Sequence, residues 1–369
     1  MEIRFSIGDL IMITEAVIKN FKCFKQLTLP DLGRITIVGG KNNVGKTALL
    51  ESLFLFFDRT SPNMILRQYG WRGLGRVTST PQGMWAPIFR NYSLSEPMTL
   101  SVWLDDKMES AVFKYNPNFM LNSLPPGEAP QSSGQKSVRT DVEPVPSFSL
   151  DIEYDNGSGN INNAHLLISP KGAPGLKVDY AVSGLKPAIF LPAKTQISSK
   201  ETSERFGKLQ KTLNVPKALH FLKLIEPRLK ELANITEGPE PVIYGDIGLP
   251  EMIPIPLMGE GMSHILDIIL AIAFCENSTL FIDEVDNGIH RSLLPKIWEA
   301  IGNAAEDYNC QIIATTHSYE CLEAIHKGLA NRPDDLRYIR LSRDGDEATA
   351  KTSNYDMLSS AIQHNMEIR

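Results

Sequence analysis

No stretch of this chain constrains it more than Gly40-Lys-Asn-Asn-Val-Gly-Lys-Thr47, which follows the apolar run Arg34-Ile-Thr-Ile-Val38 and precedes Ala48-Leu-Leu-Glu-Ser-Leu-Phe-Leu-Phe-Phe57. The order reads as strand, glycine loop, helix. A G-x-x-x-x-G-K-[ST] pattern arises by chance in roughly one chain in a hundred of this size, and the flanking elements make chance rarer still. Glycines let successive backbone N–H groups turn inward around an anion, and a helix opening near Gly45 to Thr47 aims its positive end at the same point. A polyphosphate fits such a cradle. Gly40, Asn42, Asn43, Val44 and Gly45 would supply its wall, Lys46 would reach the β- and γ-phosphate oxygens, and the Thr47 hydroxyl would complete the shell of a Mg²⁺ ion. The bland alternative is a glycine turn that binds nothing.

Composition sets outer limits. With 42% apolar and 22% charged residues in 369, the chain is globular in character and wholesale disorder is excluded. A formal net charge of −6 gives no global attraction to nucleic acid or anionic membrane, so any such contact needs a local patch. Cys23, Cys275, Cys310 and Cys321 are dispersed and suggest neither a disulfide framework nor a zinc site, which makes reduced cytoplasm the expected location. Charged Glu2, Arg4 and Asp9 argue against a signal peptide, and the apolar run Ile265 to Phe274 is too short for a membrane span and is broken by Asp267. The segment beginning at Met12 reads as a natural first strand, leaving residues 1–11 as an extension or an upstream start.

Alternation around Ala16, Ile18, Leu27 and Leu29 predicts two antiparallel strands ahead of the phosphate loop. Met98 to Leu104, Ala111 to Tyr115, Phe148 to Tyr154, His165 to Ile168 and Leu176 to Val182 read as a β-meander. Asn116 to Pro146, dense in Pro, Gly, Ser and Gln, reads as a mobile loop. Ala188 to Leu191 looks like a buried strand, and Leu219, Leu222, Ile225, Leu229 and Leu232 at helical spacing predict helix over Val215 to Ile235 with a break at Pro227. From Pro254 the pattern returns to α/β: helix Met262 to Cys275, strand Thr279 to Ile282, helix Leu293 to Tyr308, strand Cys310 to Ala314, helix Tyr319 to Lys327 and strand Leu336 to Leu341. The expected organisation is an N-terminal lobe of residues 12–115 and 148–192, a loop 116–147, a helical insert 193–250, a C-terminal lobe 251–345 and a terminal segment 346–369. The nucleotide domain is then discontinuous.

Leu280-Phe-Ile-Asp-Glu284 is an apolar strand ending in two acids, the form that places Asp283 on Mg²⁺ and Glu284 beside an attacking water. Alone it also fits acids that merely cap the next helix. Thr315-Thr-His-Ser318 follows the next strand and belongs at the same carboxyl edge, where His317 reads as a γ-phosphate sensor or a capping histidine. Leu257-Met-Gly-Glu-Gly-Met-Ser-His264 puts Gly259, Gly261 and Ser263 at a second phosphate-facing helix start that the loop at Gly40 does not itself require. Such a start calls for a partner.

Taken in order, Lys19-Asn-Phe-Lys-Cys-Phe24, GKNNVGKT, Met-Gly-Glu-Gly-Met-Ser, LFIDEVDNGIH and TTHS resemble the ABC-class ATPases of the SMC and RecF kind, and above all the ATPase module of the OLD (overcoming lysogenization defect) family and related stand-alone ATP-binding proteins. The resemblance covers roughly residues 12–60 and 250–345. It implies an α/β fold, an ABC-type P-loop ATPase head with a β-meander lobe and an inserted helical subdomain. It further implies Mg²⁺-dependent ATP hydrolysis in a head-to-head sandwich, the Gly259 to Ser263 signature of one copy closing on the γ-phosphate held by Lys46 of another, with Asp286-Asn-Gly288 crossing the seam. The signature departs from the transporter form Leu-Ser-Gly-Gly-Gln and carries Ser263 where many OLD-type proteins have arginine. Gln82 is the candidate for the glutamine that couples the Mg²⁺ site to the neighbouring lobe.

Three functions compete. The resemblance favours an ATP-driven switch that assembles with itself and holds a separately encoded effector in anti-phage defence. A RecF- or SMC-like ATPase that clamps DNA draws on the interval 59–92, where Arg59, Arg67, Arg72, Arg76 and Arg90 alternate with Tyr69, Trp71, Trp85, Phe89 and Tyr92. That interval reads equally as a solvated loop with its aromatics in the core, or as a face for DNA or an acidic partner. An OLD-type nuclease is disfavoured because no acidic cluster of TOPRIM form follows Glu284, and a small GTPase because Asn-Lys-x-Asp is missing.

Overall fold

The computed structural model describes residues 12–74, 77–121, 145–168, 174–178, 188–193 and 199–364. The chain opens with β1 (Ile13–Phe21), β2 (Phe24–Leu29) and β3 (Ile35–Gly39), then α1 (Lys46–Asp58), α2 (Met64–Trp71) and the one-turn α3 (Pro81–Met84). The middle carries β4 (Met98–Leu104), β5 (Lys107–Leu121), β6 (Val145–Asp155), β7 (Ile161–Ile168), β8 (Pro174–Val178) and β9 (Ile189–Leu191). Next come α4 (Ser199–Lys211), α5 (Val215–Leu222), β10 (Glu231–Ile235), β11 (Val242–Asp246), β12 (Ile253–Pro254) and α6 (Glu260–Phe274). The chain ends with β13 (Thr279–Ile282), α7 (Leu294–Asp307), β14 (Gln311–Thr315), α8 (Tyr319–Gly328), β15 (Leu336–Asp344), β16 (Glu347–Asn354) and α9 (Tyr355–Gln363).

Two large sheets follow from two kinds of sequence. An antiparallel sheet runs in the order β2-β1-β4-β5-β6-β7-β8, and a second in the order β16-β15-β3-β14-β13-β9, parallel except for β16. Strands β3, β13 and β14 are buried along their whole length, as a parallel sheet covered on both faces requires. Alternate residues serve different cores. Ile35, Ile37, Leu280, Ile282, Ile312 and Ala314 pack with α6, α7 and α8, whereas Val38, Phe281, Ile313 and Ile339 pack with α1 and the antiparallel sheet. Helix α1 and helix α6 therefore lie on opposite faces of the parallel sheet.

A buried glutamine ties the two sheets together. Gln311, fully buried on β14, accepts from the Ile13 N–H at 2.9 Å and donates to the carbonyls of Ile13 at 2.8 Å and Gly33 at 3.0 Å. Its amide stands in for a missing strand partner and satisfies backbone groups that would otherwise be orphaned.

Several sequence expectations need correction. Helix does not continue to Ile235: α5 ends at Leu222, and Glu231–Ile235 forms β10, paired with β11 in a three-stranded sheet with β12. Pro227 removes a donor and disfavours helix at Glu226, and a partner strand distant in sequence captures the rest. The insert thus holds two helices and a small sheet. The interval Asn116 to Pro146 is strand at both ends, with Phe119 opposite Ser147 and Leu121 opposite Val145; residues 122–144 lie outside the described residues. Pro117 falls within the register shift between Asn116 and Phe119, where a residue without an N–H is tolerated. The run Leu176 to Val182 is strand through Val178, the remainder lying outside the described residues. Residues 347–363 form β16 and α9, the helix capped by Asn354, whose Oδ1 accepts from the Met357 N–H at 3.0 Å. Among the described residues no helix is long and apolar enough to cross a membrane.

Candidate active site

The loop from β3 to α1 holds three left-handed backbone positions, Gly40 at φ 143°, Asn43 at φ 65° and Gly45 at φ 107°. A Cβ on Gly40 would stand 2.3 Å from the Leu341 carbonyl oxygen, and one on Gly45 would stand 2.7 Å from the Phe24 ring and 2.8 Å from the Cys23 sulfur. Only glycine fits at either place. No side chain caps α1 and no acid sits in its first turn, so its N-terminal end is left to an anion. Lys46 Nζ donates to the carbonyls of Gly40 at 2.7 Å and Lys41 at 3.0 Å, which holds the ammonium at the mouth of the loop.

The end of β13 brings the acids to this mouth. Thr47 Oγ1 lies 3.1 and 3.0 Å from the two carboxylate oxygens of Asp283, and Thr315 Oγ1 donates to Asp283 Oδ1 at 2.6 Å. Burial raises the Asp283 carboxyl above its ordinary value, the bonds from Thr315 and Thr47 oppose the rise, and nearby Glu284 and Glu51 reinforce it. Burial also lowers the Lys46 ammonium, against the pull of Asp283 and Glu284. One ammonium and two carboxylates thus share a partly desolvated pocket. Thr315 Oγ1 also accepts from the Glu284 N–H at 2.8 Å, and Asn287 Nδ2 donates to Glu284 Oε2 at 2.9 Å. Glu284 adopts φ 52°, a conformation an L-residue holds only when its surroundings dictate it.

These groups suit a nucleotide with Mg²⁺. Thr47 and Asp283 are hard oxygen donors already within 3.1 Å of each other, and Mg²⁺ is commonly held by one or two protein oxygens with phosphate and water completing the shell. Gly40 and Gly45 provide a cradle that any Cβ would fill.

A second helix start occupies the same carboxyl edge on the opposite face. Gly259 opens α6 at φ 118°, exposed, and a Cβ on it would meet nothing within 4 Å. Gly261 packs on the next loop of the site, where a Cβ would stand 2.5 Å from the Gly288 oxygen. Asp286, in the same loop, accepts from Thr316 Oγ1 at 2.7 Å, and His264 Nε2 lies 3.2 Å from the Val285 oxygen. The Gly259 to Ser263 turn and the Asp286 to Gly288 loop therefore form one surface.

His317 follows buried Thr316 at this edge and is exposed. Gln82 is exposed on α3, and among the described residues no hydrogen bond joins it to Thr47 or Asp283. The buried glutamine beside α1 is Gln68, whose Oε1 accepts from Lys22 Nζ at 2.8 Å. Lys22 also bonds Glu51 at 2.6 Å, and Arg72 grips the same fully buried carboxylate in two bonds of 2.8 and 2.7 Å. Sequence reasoning missed this network along with Thr315 and Asn287. Lys22 and Thr315 lay inside motifs that were singled out, and a glutamate in the apolar run of α1 was a signal that something must neutralise it.

In the arginine and aromatic interval three aromatics enter the core, and each described arginine is buried or paired with an acid, although Arg67, Arg72 and Tyr92 remain exposed. Arg59 is buried over the Tyr154 ring, Arg67 pairs with Asp58, Arg72 with Glu51 and Arg90 with Asp346, while Tyr69, Trp85 and Phe89 are core residues. Arg76 lies outside the described residues.

Residues 12–124 match the family described as "AAA ATPase domain", and residues 154–323 the family described as "AAA domain, putative AbiEii toxin, Type IV TA system". An "ATP/GTP phosphatase" of Helicobacter pylori is 24% identical over 342 residues, spanning 85% of this chain and 87% of that protein. The SMC head bound to the C-terminal winged-helix domain of ScpA superposes with a TM-score of 0.50 at 13% identity, over 95% of this chain and 99% of that one. An SMC head with an extended coiled coil, bound to a ScpA domain derived from Pyrococcus furiosus, gives a TM-score of 0.49 at 10% identity, over 96% and 99%. The fold is that of an ABC-type P-loop ATPase head of the SMC kind, and the two matched stretches are similar in sequence to AAA-type ATPase domains.

Proposed function

We propose that this chain is a Mg²⁺-dependent ATPase acting as a switch. ATP on the Gly40 to Thr47 loop of one copy is closed over by the Gly259 to Ser263 turn of another, and the resulting pair controls a separately encoded effector, by analogy with OLD-type ATPases in anti-phage defence. The observation carrying this reading is the division of the site: α1 and α6 start at one carboxyl edge but on opposite faces of the sheet, and the second start faces open space. Two copies facing each other would complete two sites.

Within each site, Lys46 and the loop amides bind and orient the β- and γ-phosphates, and Thr47 with Asp283 would hold Mg²⁺. The ion, when bound, supplies neutralising charge at the phosphate oxygens. Glu284 takes the proton of the attacking water, held in place by Asn287 on its carboxylate and Thr315 on its backbone. His317 reports the γ-phosphate. The Helicobacter pylori relative's name supports triphosphate hydrolysis. The DNA-clamping alternative leans on an interval whose described arginines are paired or buried.

Light scattering on Glu284→Gln tests the proposal. With ATP and Mg²⁺ this variant is expected to run as a stalled dimer, and Lys46→Ala as a monomer. Wild-type turnover by Glu284→Gln overturns the assignment of the general base, and a monomer saturated with ATP overturns the sandwich. Pull-down of neighbour-encoded proteins, with and without ATP, separates the effector reading from salt-sensitive DNA retention.

A further inference from the structure

Beside the signature turn, α4, β11, the 3-10 turn Ile255–Met258 and α6 line a half-open cavity of about 120 Å³. Val242, Ile255 and Leu266 make its apolar wall, Ser199, Thr202 and Ser263 add hydroxyls, and Asp267 contributes a carboxylate. Asp267 is the acid that interrupts the apolar run of α6, where a hydrophobic residue would pack without cost. Its Oδ1 accepts from Thr202 Oγ1 at 2.9 Å, and among the described residues no lysine, arginine or histidine pairs with it. Arg205 attracts the carboxylate electrostatically, but its guanidinium is bonded to Glu201. A half-buried carboxylate that forms no ion pair of its own, beside an apolar wall, is a costly arrangement that a bound cation would relieve.

We propose that this cavity is a binding site for a compact apolar amine, the ammonium held by Asp267 and the Thr202 and Ser263 hydroxyls, the hydrocarbon body against Val242, Ile255 and Leu266. Size sets the upper limit: a cavity of this order holds a single small ring, as engineered cavities of roughly 150 Å³ hold benzene. The occupant would touch α4 and α6 at once and so brace the insert against the helix that carries the signature. The binding claim stands apart from the ATPase reading, because it needs no nucleotide.

Titration of nucleotide-free full chain with cyclopentylamine and with cyclopentanol, followed by NMR, provides the test. The amine is expected to bind at least about tenfold more tightly than the alcohol of the same shape, with shifts confined to resonances of the cavity wall. Asp267→Asn should remove the preference. The amine should also weaken in wild type as pH falls through about 6, because burial pushes the Asp267 carboxyl up to about 6. The charges that face this group are Arg205 and Glu201, both on α4; β11 and the 3-10 turn contribute only uncharged wall residues. Equal binding of alcohol and amine, a preference that survives in Asp267→Asn, or affinity unchanged between pH 7.5 and pH 5 each overturns the proposal. Should Asp267→Asn fail to fold, the wild-type amine and alcohol comparison and its pH series decide the matter.

Discussion

The two helix starts at the carboxyl edge differ in what surrounds them. At Gly45 the chain has no spare room: Phe24, Cys23 and the Leu341 carbonyl close around the loop, and Lys46, Thr47, Asp283, Glu284 and Thr315 converge on its mouth. Gly259 has a similarly left-handed backbone, yet nothing stands within 4 Å of where its side chain would be, and the adjacent Leu257 is 77% exposed. One start is furnished by its own chain. The other is furnished only by a backbone turn and its contact with Gly288, as the proposed closure by a second copy requires.

The first contrast separates binding from closure. Lys46→Ala should weaken ATP binding by about a hundredfold, whereas Ser263→Glu should bind ATP as wild type does and lose hydrolysis, both readable by fluorescent-nucleotide titration and phosphate release. Equal loss of binding in both variants would mean that the two starts serve one chain. Alanine at the two glycines sharpens the contrast. Gly45→Ala incurs backbone strain and displaces the Phe24 ring, costing about 3–5 kcal/mol, whereas Gly259→Ala incurs strain alone, about 1–2 kcal/mol in urea unfolding.

Away from the edge, the amide of Gln311 should matter more than its size. Gln311→Leu fills much the same space but orphans the Ile13 N–H, so stability should fall by about 2–3 kcal/mol. Asp267 gives an effect of opposite sign. Its carboxyl rises from an unfolded value near 3.8 to about 6, so the native state binds the extra proton and stability declines as pH rises through that window. Asp267→Asn should therefore raise the melting temperature at pH 7.5 and lose its advantage at pH 4. A variant that melts lower at pH 7.5 would show that the charged carboxylate is well accommodated.

What the sequence revealed and what it hid divide along the same line. The strands that carry Gly40, Gly45, Lys46, Thr47 and Asp283, and the meeting of Thr47 with Asp283, were legible because the pattern fixes residue types at fixed offsets from a strand end. The run Leu219 to Leu232 misled because its spacing suits a helix, while the deciding facts were Pro227 and pairing with Val242–Asp246, a contact no local pattern displays. Strand β16 escaped notice because Glu-Ala-Thr-Ala-Lys-Thr-Ser-Asn is an edge strand with little to bury. Thr315 and Arg72 acquire their roles only when segments distant in sequence meet, at Asp283 and at Glu51. Gln82 was chosen by interval alone, and the fold sets it on the surface.

Mixing two inactive variants tests the shared site most directly. In a heterodimer of Lys46→Ala and Ser263→Glu, one composite site loses both its loop and its signature, and the other keeps both. Each variant alone should be inactive; an equimolar mixture should recover ATP hydrolysis, rising with total protein concentration as pairing proceeds. A mixture that stays inactive although both variants are folded and Ser263→Glu still binds ATP would contradict a site completed by a second copy of the chain.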